Sequence, residues 1–333
     1  MKARKLPSGN WQVRVAKKDA NGKRTRKAFT APSKDEAEAA ALAYKLKMTS
    51  PDSRTVGEAV TALIESKRPV LSPSTIRSYM SMQRALEEKH PELWQTTIER
   101  LTEQQMQQFI NKLAEDHTPK TVRNYAALLG SSLPARLRIR NAVTLPARVR
   151  PNYHIPTEKT VQAILEACRD SDLEIPVLLA VVCTMRAGEI AALRMEDIRD
   201  NSIHVCRNMV RNDGNRWVTK APKTYSSDRI IEAPPWLIAK IQEKGLPQID
   251  PSAISYRFGR KLKANKLPHC RFHDLRHYSA SYMHAKGVPS AYIMKRGGWN
   301  TETVLNAVYR HALDDRDRIE TQRINDAFTE SLT

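Results

Sequence analysis

His273-Asp274-Leu275-Arg276-His277 is the densest run of chemically capable side chains in this 333-residue chain. On a helix, positions 273, 276 and 277 fall on one face, so an imidazole and a guanidinium project together. Arg186 lies upstream in Cys183-Thr184-Met185-Arg186-Ala187-Gly188-Glu189, where a buried apolar helix ends and another begins. Lys223 lies in Pro222-Lys223-Thr224 between two β-like runs, and Gly297-Gly298-Trp299 and Tyr309-Arg310-His311 follow downstream. Two arginines, a lysine, a histidine and a tyrosine are the parts for phosphoryl transfer without a metal. Guanidinium forks match two non-bridging phosphate oxygens and stabilise a pentacoordinate transition state. A tyrosine can conserve phosphodiester energy in a covalent link, and an ammonium can protonate a departing alkoxide. A zinc site at His269, Cys270, His273 and His277 is the competing reading, since 273 and 277 have i, i+4 spacing. Arg276 would then face the metal, so we expect no metal.

The catalytic candidates belong to a mixed α/β, mainly α, segment over 157–333. A helix is expected from Thr157 and a buried one over roughly Ile175–Cys183. Ile203, Val205, Trp217, Val218, Ile230 and Ile231 lie in short β-like runs around Asn212-Asp213-Gly214, and helices return from Ser252, with Gly287 a helix stop. The preceding 141–156 reads as a Pro-rich linker. Residues 55–140 read as an all-helical, four-helix-like unit, with Thr102 and Gln105 forming a capping box and Pro119 opening the last helix. In residues 1–48, Trp11, Val13 and Val15 alternate with Gln12 and Arg14, and Asn21-Gly22 marks a turn. Ser33 and Glu36 would cap an Ala-rich helix to about Lys47. The whole predicts a multidomain chain: a small β-sheet-plus-helix domain, an all-α domain, and the mixed domain with a C-terminal tail.

Charge follows these divisions. The net charge is +19, with +9 in residues 1–30, +5 in 134–150, +9 in 257–296, and a slightly acidic remainder. Concentrated positive charge points to a polyanion, and Arg14, Lys17, Lys18, Lys23 and Arg24, with Arg136, Arg138 and Arg140, are the candidate DNA contacts. A hydrophobic content of 41% excludes a disordered chain. Val177–Cys183, the longest apolar run, is far too short to span a membrane, and no apolar segment follows the basic start as in a signal peptide. Four scattered cysteines without a CxxC pair point to the reducing cytoplasm.

In order and interval, these boxes resemble those of the tyrosine recombinases, the phage integrase family. The steps are 37 residues from Arg186 to Lys223, 50 to His273, 23 from Arg276 to Trp299, and 10 to Tyr309. The resemblance implies an arm-site DNA-binding domain at 1–48, a helical, SAM-like core-binding domain at 55–140 and the catalytic domain at 157–333. It implies that Tyr309 attacks the scissile phosphate, giving a 3′-phosphotyrosine and a free 5′-hydroxyl. Arg186 and Arg276 would hold the non-bridging oxygens, His273 would assist proton transfer, and Lys223 would protonate the 5′-oxygen. Glu189 and His277 would orient these groups. Trp299 replaces the commoner histidine of this box, substituting an indole N–H donor for a titratable group. Tyr225 and Tyr292 also qualify in isolation, and box order selects Tyr309. Lys220 is the alternative to Lys223. The implied partners are double-stranded DNA at core and arm sites, three further copies in a homotetramer, and accessory DNA-bending or directionality proteins, with no cofactor and no membrane. A type IB topoisomerase and a non-enzymatic DNA-binding regulator are the rival functions.

Overall fold

Val13 and Val15 are buried while Arg14 and Ala16, which alternate with them, are exposed, the pattern of a strand with one covered face. The structure, a computed structural model, describes residues 3–18, 24–49, 53–134, 143–149, 155–222, 225–302, 305 and 321–331. Lys23, Arg136, Arg138, Arg140, Lys223 and Tyr309 lie outside the described residues. β1 (Arg4–Lys5), β2 (Trp11–Lys18) and β3 (Arg24–Ala31) form an antiparallel sheet with β2 central. Helix α1 (Lys34–Thr49) covers Val13 and Val15 with Ala37 and Ala41. The Ser33 hydroxyl accepts from the Glu36 backbone N–H at 3.2 Å, satisfying one free donor at the helix start. On the opposite face Arg4, Arg14 and Arg26 are exposed. In the β2–β3 ladder Lys17 pairs with Thr25 and Lys18 with Arg24.

Five helices follow: α2 (Val56–Lys67), α3 (Pro73–Lys89), α4 (Pro91–Gln95), α5 (Glu103–Asp116) and α6 (Pro119–Ser132). Reciprocal capping boxes start α2 (Thr55 with Glu58) and α5 (Thr102 with Gln105). Val60, Ile64, Leu86, Met106, Ile110, Val122 and Leu129 build the core. The four-helix expectation omits α4, which is too short to show a periodicity. Its Trp94 lies over Gly57, where any Cβ would collide with the indole. Residues 143–149 run back along this unit: Thr144 exchanges hydrogen bonds with Gln107, and Arg123 donates to the Pro146 carbonyl at 2.7 Å.

The chain divides into two compact units, Met1–Leu71 with Ser78–Val149, and Ser72–Arg77 with Arg150–Thr333. In the second, α7 (Glu158–Cys168) starts at the Thr157 cap and α8 (Glu174–Val182) lies in the core. α9 (Ala187–Ala192) leads to β4 (Ile198–Arg199), β5 (Ser202–Val205), the β6–β7 hairpin (Asn208–Arg211, Trp217–Lys220) and β8 (Arg229–Glu232). β5 pairs antiparallel with β4 and β8. α10 (Pro235–Lys244), α11 (Pro251–Ala264), α12 (Phe272–Ala285) and α13 (Ser290–Gly297) follow. Residues 321–331 are helical, with Ile324 and Phe328 exposed. Among the described residues, no helix is long and apolar enough to cross a membrane.

Candidate active site

Arg186 is placed by the turn between α8 and α9. Its backbone N–H donates to Glu189 Oε2 at 3.0 Å, so the carboxylate satisfies a free donor at the start of α9. Its Nη1 donates to Glu189 Oε1 at 2.5 Å and its Nη2 to the Gly298 carbonyl at 3.1 Å. Between Arg186 and Glu189, Gly188 admits the β6 backbone: a Cβ there would lie 2.8 Å from the Met209 carbonyl and collide with Asn208. The Arg-x-Gly-Glu spacing therefore has a steric reason as well as a polar one.

Glu189 is buried and also receives Arg229, whose Nη2 donates to Oε2 at 2.9 Å and Nη1 to Oε1 at 3.3 Å. Burial alone would raise the pKa of Glu189. Arg229's hydrogen bonds and charge, with the charges of Arg186 and Arg276, reverse this and hold the carboxyl at about 2.

Arg276 projects from α12 and is only 1% exposed. Its Nη1 donates to the Thr184 carbonyl and its Nη2 to the Gly297 carbonyl at 2.6 Å. The Trp299 ring covers it, with the guanidinium carbon 3.9 Å from a ring centroid. Burial and Arg186 push its pKa well down, with Glu189 opposing. His273 instead keeps an exposed edge. The shared helical face thus separates: the long arginine stem carries its fork inward to two loop carbonyls, and the shorter imidazole stays at the surface.

Thr184 is buried at φ +53°, a conformation that β-branched residues rarely adopt. Its hydroxyl donates to the Cys183 carbonyl at 2.6 Å, and its carbonyl anchors Arg276.

His273 and His277 meet edge to face, with centroids 4.7 Å apart. Burial, with Arg276 and Arg186, lowers His273 to about 4; burial, with His273, lowers His277 to about 4. Both imidazoles are therefore neutral at pH 7. Arg186, Glu189, Gly298 and Trp299 line a cavity of about 360 Å³, together with Arg207, Asn208, Pro222, Ser227 and Asn300. Arg276 is not in its lining and lies behind Trp299. Pro222, the neighbour of Lys223 in sequence, is in the wall.

Arg207 and Arg229 were not singled out from sequence. Arg207 donates to Asp197 Oδ1 at 2.5 Å, and Arg229 reaches Glu189 across 40 positions. Neither pairing has a local spacing that could have disclosed it. Among the described residues, no group of three His, Cys, Asp or Glu side chains could hold a metal.

Residues 156–316 match the phage integrase family. A tyrosine recombinase XerC-like protein of Caldanaerobacter subterraneus is 24% identical, the alignment covering 93% of this chain and 94% of the relative. Among solved structures, the Tn1549 transposon integrase in complex with transposon right-end DNA superposes with a TM-score of 0.65 at 16% identity, covering 82% of this chain and 100% of that one. A lambda integrase tetramer bound to a Holliday junction gives 0.57 at 16% identity, covering 93% and 95%.

Proposed function

The chain belongs to the phage integrase family of tyrosine recombinases, and from that premise we propose that it is a site-specific DNA recombinase of a phage or other mobile element. The observation that carries the reading is the cavity lined by Arg186 and Trp299, with Arg276 stacked on the indole of Trp299 and His273 within electrostatic reach of both arginines. The group Arg186, Arg229, Arg276 and Glu189 keeps a net charge of +2, suited to a phosphodiester and its more highly charged transition state.

In the proposed reaction the Tyr309 phenolate oxygen bonds to the scissile phosphorus as the bond to the 5′-oxygen breaks. Lys223 delivers a proton to that leaving oxygen. A partner strand's 5′-hydroxyl then attacks the 3′-phosphotyrosine, so no nucleotide is hydrolysed. Arg186 donates to the non-bridging oxygens from the cavity wall. Arg276 joins it when the indole of Trp299 yields, and neutral His273 can accept the phenolic proton. Glu189 and His277 hold these groups in place.

The basic sheet face at Arg4, Arg14 and Arg26 would bind arm-type DNA, and the helical unit would bind the core site. Four copies would assemble on two paired core sites, as lambda integrase does on a Holliday junction. Accessory bending or directionality proteins and the cytoplasm complete the proposed setting. A two-site recombination assay run beside supercoil relaxation tests the reading. Exchange of flanking DNA between the two sites is expected; relaxation without exchange would favour a type IB topoisomerase.

A further inference from the structure

Arg229 is buried like Arg276 in this constellation, and no sequence box contains it. Its side chain is 4% exposed and that of Glu189 is 5% exposed. Besides its fork on Glu189, its Nε donates to the Arg296 carbonyl at 2.7 Å and its Nη1 to the Ser227 carbonyl at 3.2 Å. These bonds join three places: the start of α9, the segment 225–228 that follows Lys223, and the end of α13 just before Gly298 and Trp299. Arg186 donates to the Gly298 carbonyl, so both arginines hold the same turn.

We infer that Arg229 is a positioning residue for strand cleavage: it neutralises Glu189 and thereby leaves the charge of Arg186 available to the scissile phosphate. This inference rests on the recombinase reading above. Glu189 needs to be ionised to hold the Arg186 backbone, yet an anion beside Arg186 competes with the substrate for its guanidinium. Arg229 resolves the conflict. It fills the remaining acceptor positions of the carboxylate from a buried site. With Arg229 the four charged groups carry a net of two positive charges. Without it they carry one, and Arg186 must then supply the hydrogen bonds that hold a buried carboxylate, which costs far more unpaired than paired. An arginine suits the place better than a lysine, because one planar fork reaches Glu189 and both carbonyls at once.

The test measures single-turnover formation of the covalent adduct on a nicked duplex taken from the junction sequence of the element that carries the gene. Wild type, Arg229→Gln, Arg229→Lys and the double variant Glu189→Gln/Arg229→Gln are compared, with affinity for the same duplex and thermal melting measured on each. Arg229→Gln is expected to slow adduct formation by about tenfold to a hundredfold while leaving affinity within about threefold. Arg229→Lys restores the charge and recovers much of the rate. The double variant cleaves faster than Arg229→Gln, because the uncompensated carboxylate is gone and Arg186 is released. A merely structural Arg229 would make the double variant as slow or slower.

Wild-type rates in Arg229→Gln, or a double variant no faster than the single, overturn the inference. If Arg229→Gln does not fold, Arg229→Lys decides: a rate within about tenfold of wild type supports the charge argument, and a larger loss defeats it. A wild-type protein that forms no adduct on its own junction refutes the recombinase reading itself, an outcome distinct from failure of the role of Arg229.

Discussion

Replacing Glu189 with glutamine removes one charge at almost constant volume and perturbs three arginines together. In the wild-type protein the carboxylate accepts four N–H groups, two from Arg186 and two from Arg229. A glutamine amide accepts at one position and turns a donor towards the other fork, leaving Arg229 buried without a counter-charge. The linkage argument gives the size. The folded pKa is about 2 against a usual 4.5, and a shift of that extent corresponds to about 3 kcal/mol of stability at neutral pH. Breaking one side of a buried ion pair gives a similar ~3–5 kcal/mol. For a unit of this size that lowers the melting temperature by about 6–12 °C. Because the folded pKa is depressed, the contribution is complete above pH 4.5 and is lost as pH falls towards 2. Differential scanning calorimetry of wild type and Glu189→Gln at pH 7.5 and 3.5 measures both features, and the gap should shrink by about two-fifths at the lower pH. A shift below about 2 °C at pH 7.5, or a gap that does not narrow, would refute the reasoning.

Four further outcomes are expected. Gly298→Ala places a Cβ 2.8 Å from the Ser226 carbonyl and 3.2 Å from Arg229 at φ +65°, so it should cost at least ~1–2 kcal/mol in a denaturant melt. Trp299→Ala uncovers Arg276 and should cost ~3–5 kcal/mol, whereas Trp299→Phe keeps a ring over the guanidinium and should cost much less; equal losses would deny the stacking a role. His273 and His277 have pKa values lowered from 6.5 to about 4, so stability that is complete above pH 6.5 should fall away as pH drops through 4, and His277→Gln should flatten that slope in pH-dependent melts. Neutralising Lys17, Lys18, Lys23 and Arg24 together, or Arg14 with Arg26, should weaken arm-site binding and reduce its salt slope by about 0.9 for each phosphate no longer neutralised. Cleavage at the core site should remain largely intact, and an equal loss of both would contradict the division of labour between domains.

Much of the site was legible because its boxes are local. Arg186-Ala-Gly-Glu189 carries its own logic within one helical turn: the glutamate three residues on returns to the arginine's backbone, and the glycine lets β6 approach. The caps at Ser33 and Thr102 and the alternation of Val13 and Val15 are short-range for the same reason. Contacts between distant segments were not legible. Arg229 finds Glu189 forty positions away through the packing of β8 against the end of α13, which no spacing encodes. Helical periodicity placed Arg276 beside His273, but the carbonyls of Thr184 and Gly297 draw its fork inward. The positive φ of Thr184 also ran against residue preference, since a β-branched residue is a poor sequence signal for a left-handed turn. Strain of that kind, at the carbonyl holding Arg276, fits a turn fixed by its role rather than by local propensity.

The central claim is that Tyr309 becomes covalently joined to DNA. Wild type and Tyr309→Phe, incubated with a nicked suicide duplex of the element's junction, should differ in one respect. Wild type should trap a denaturation-resistant protein–DNA adduct whose linked peptide contains Tyr309. Tyr309→Phe should form none while binding the duplex with unchanged affinity. An adduct that persists in Tyr309→Phe, or maps to Tyr225 or Tyr292, would contradict the account.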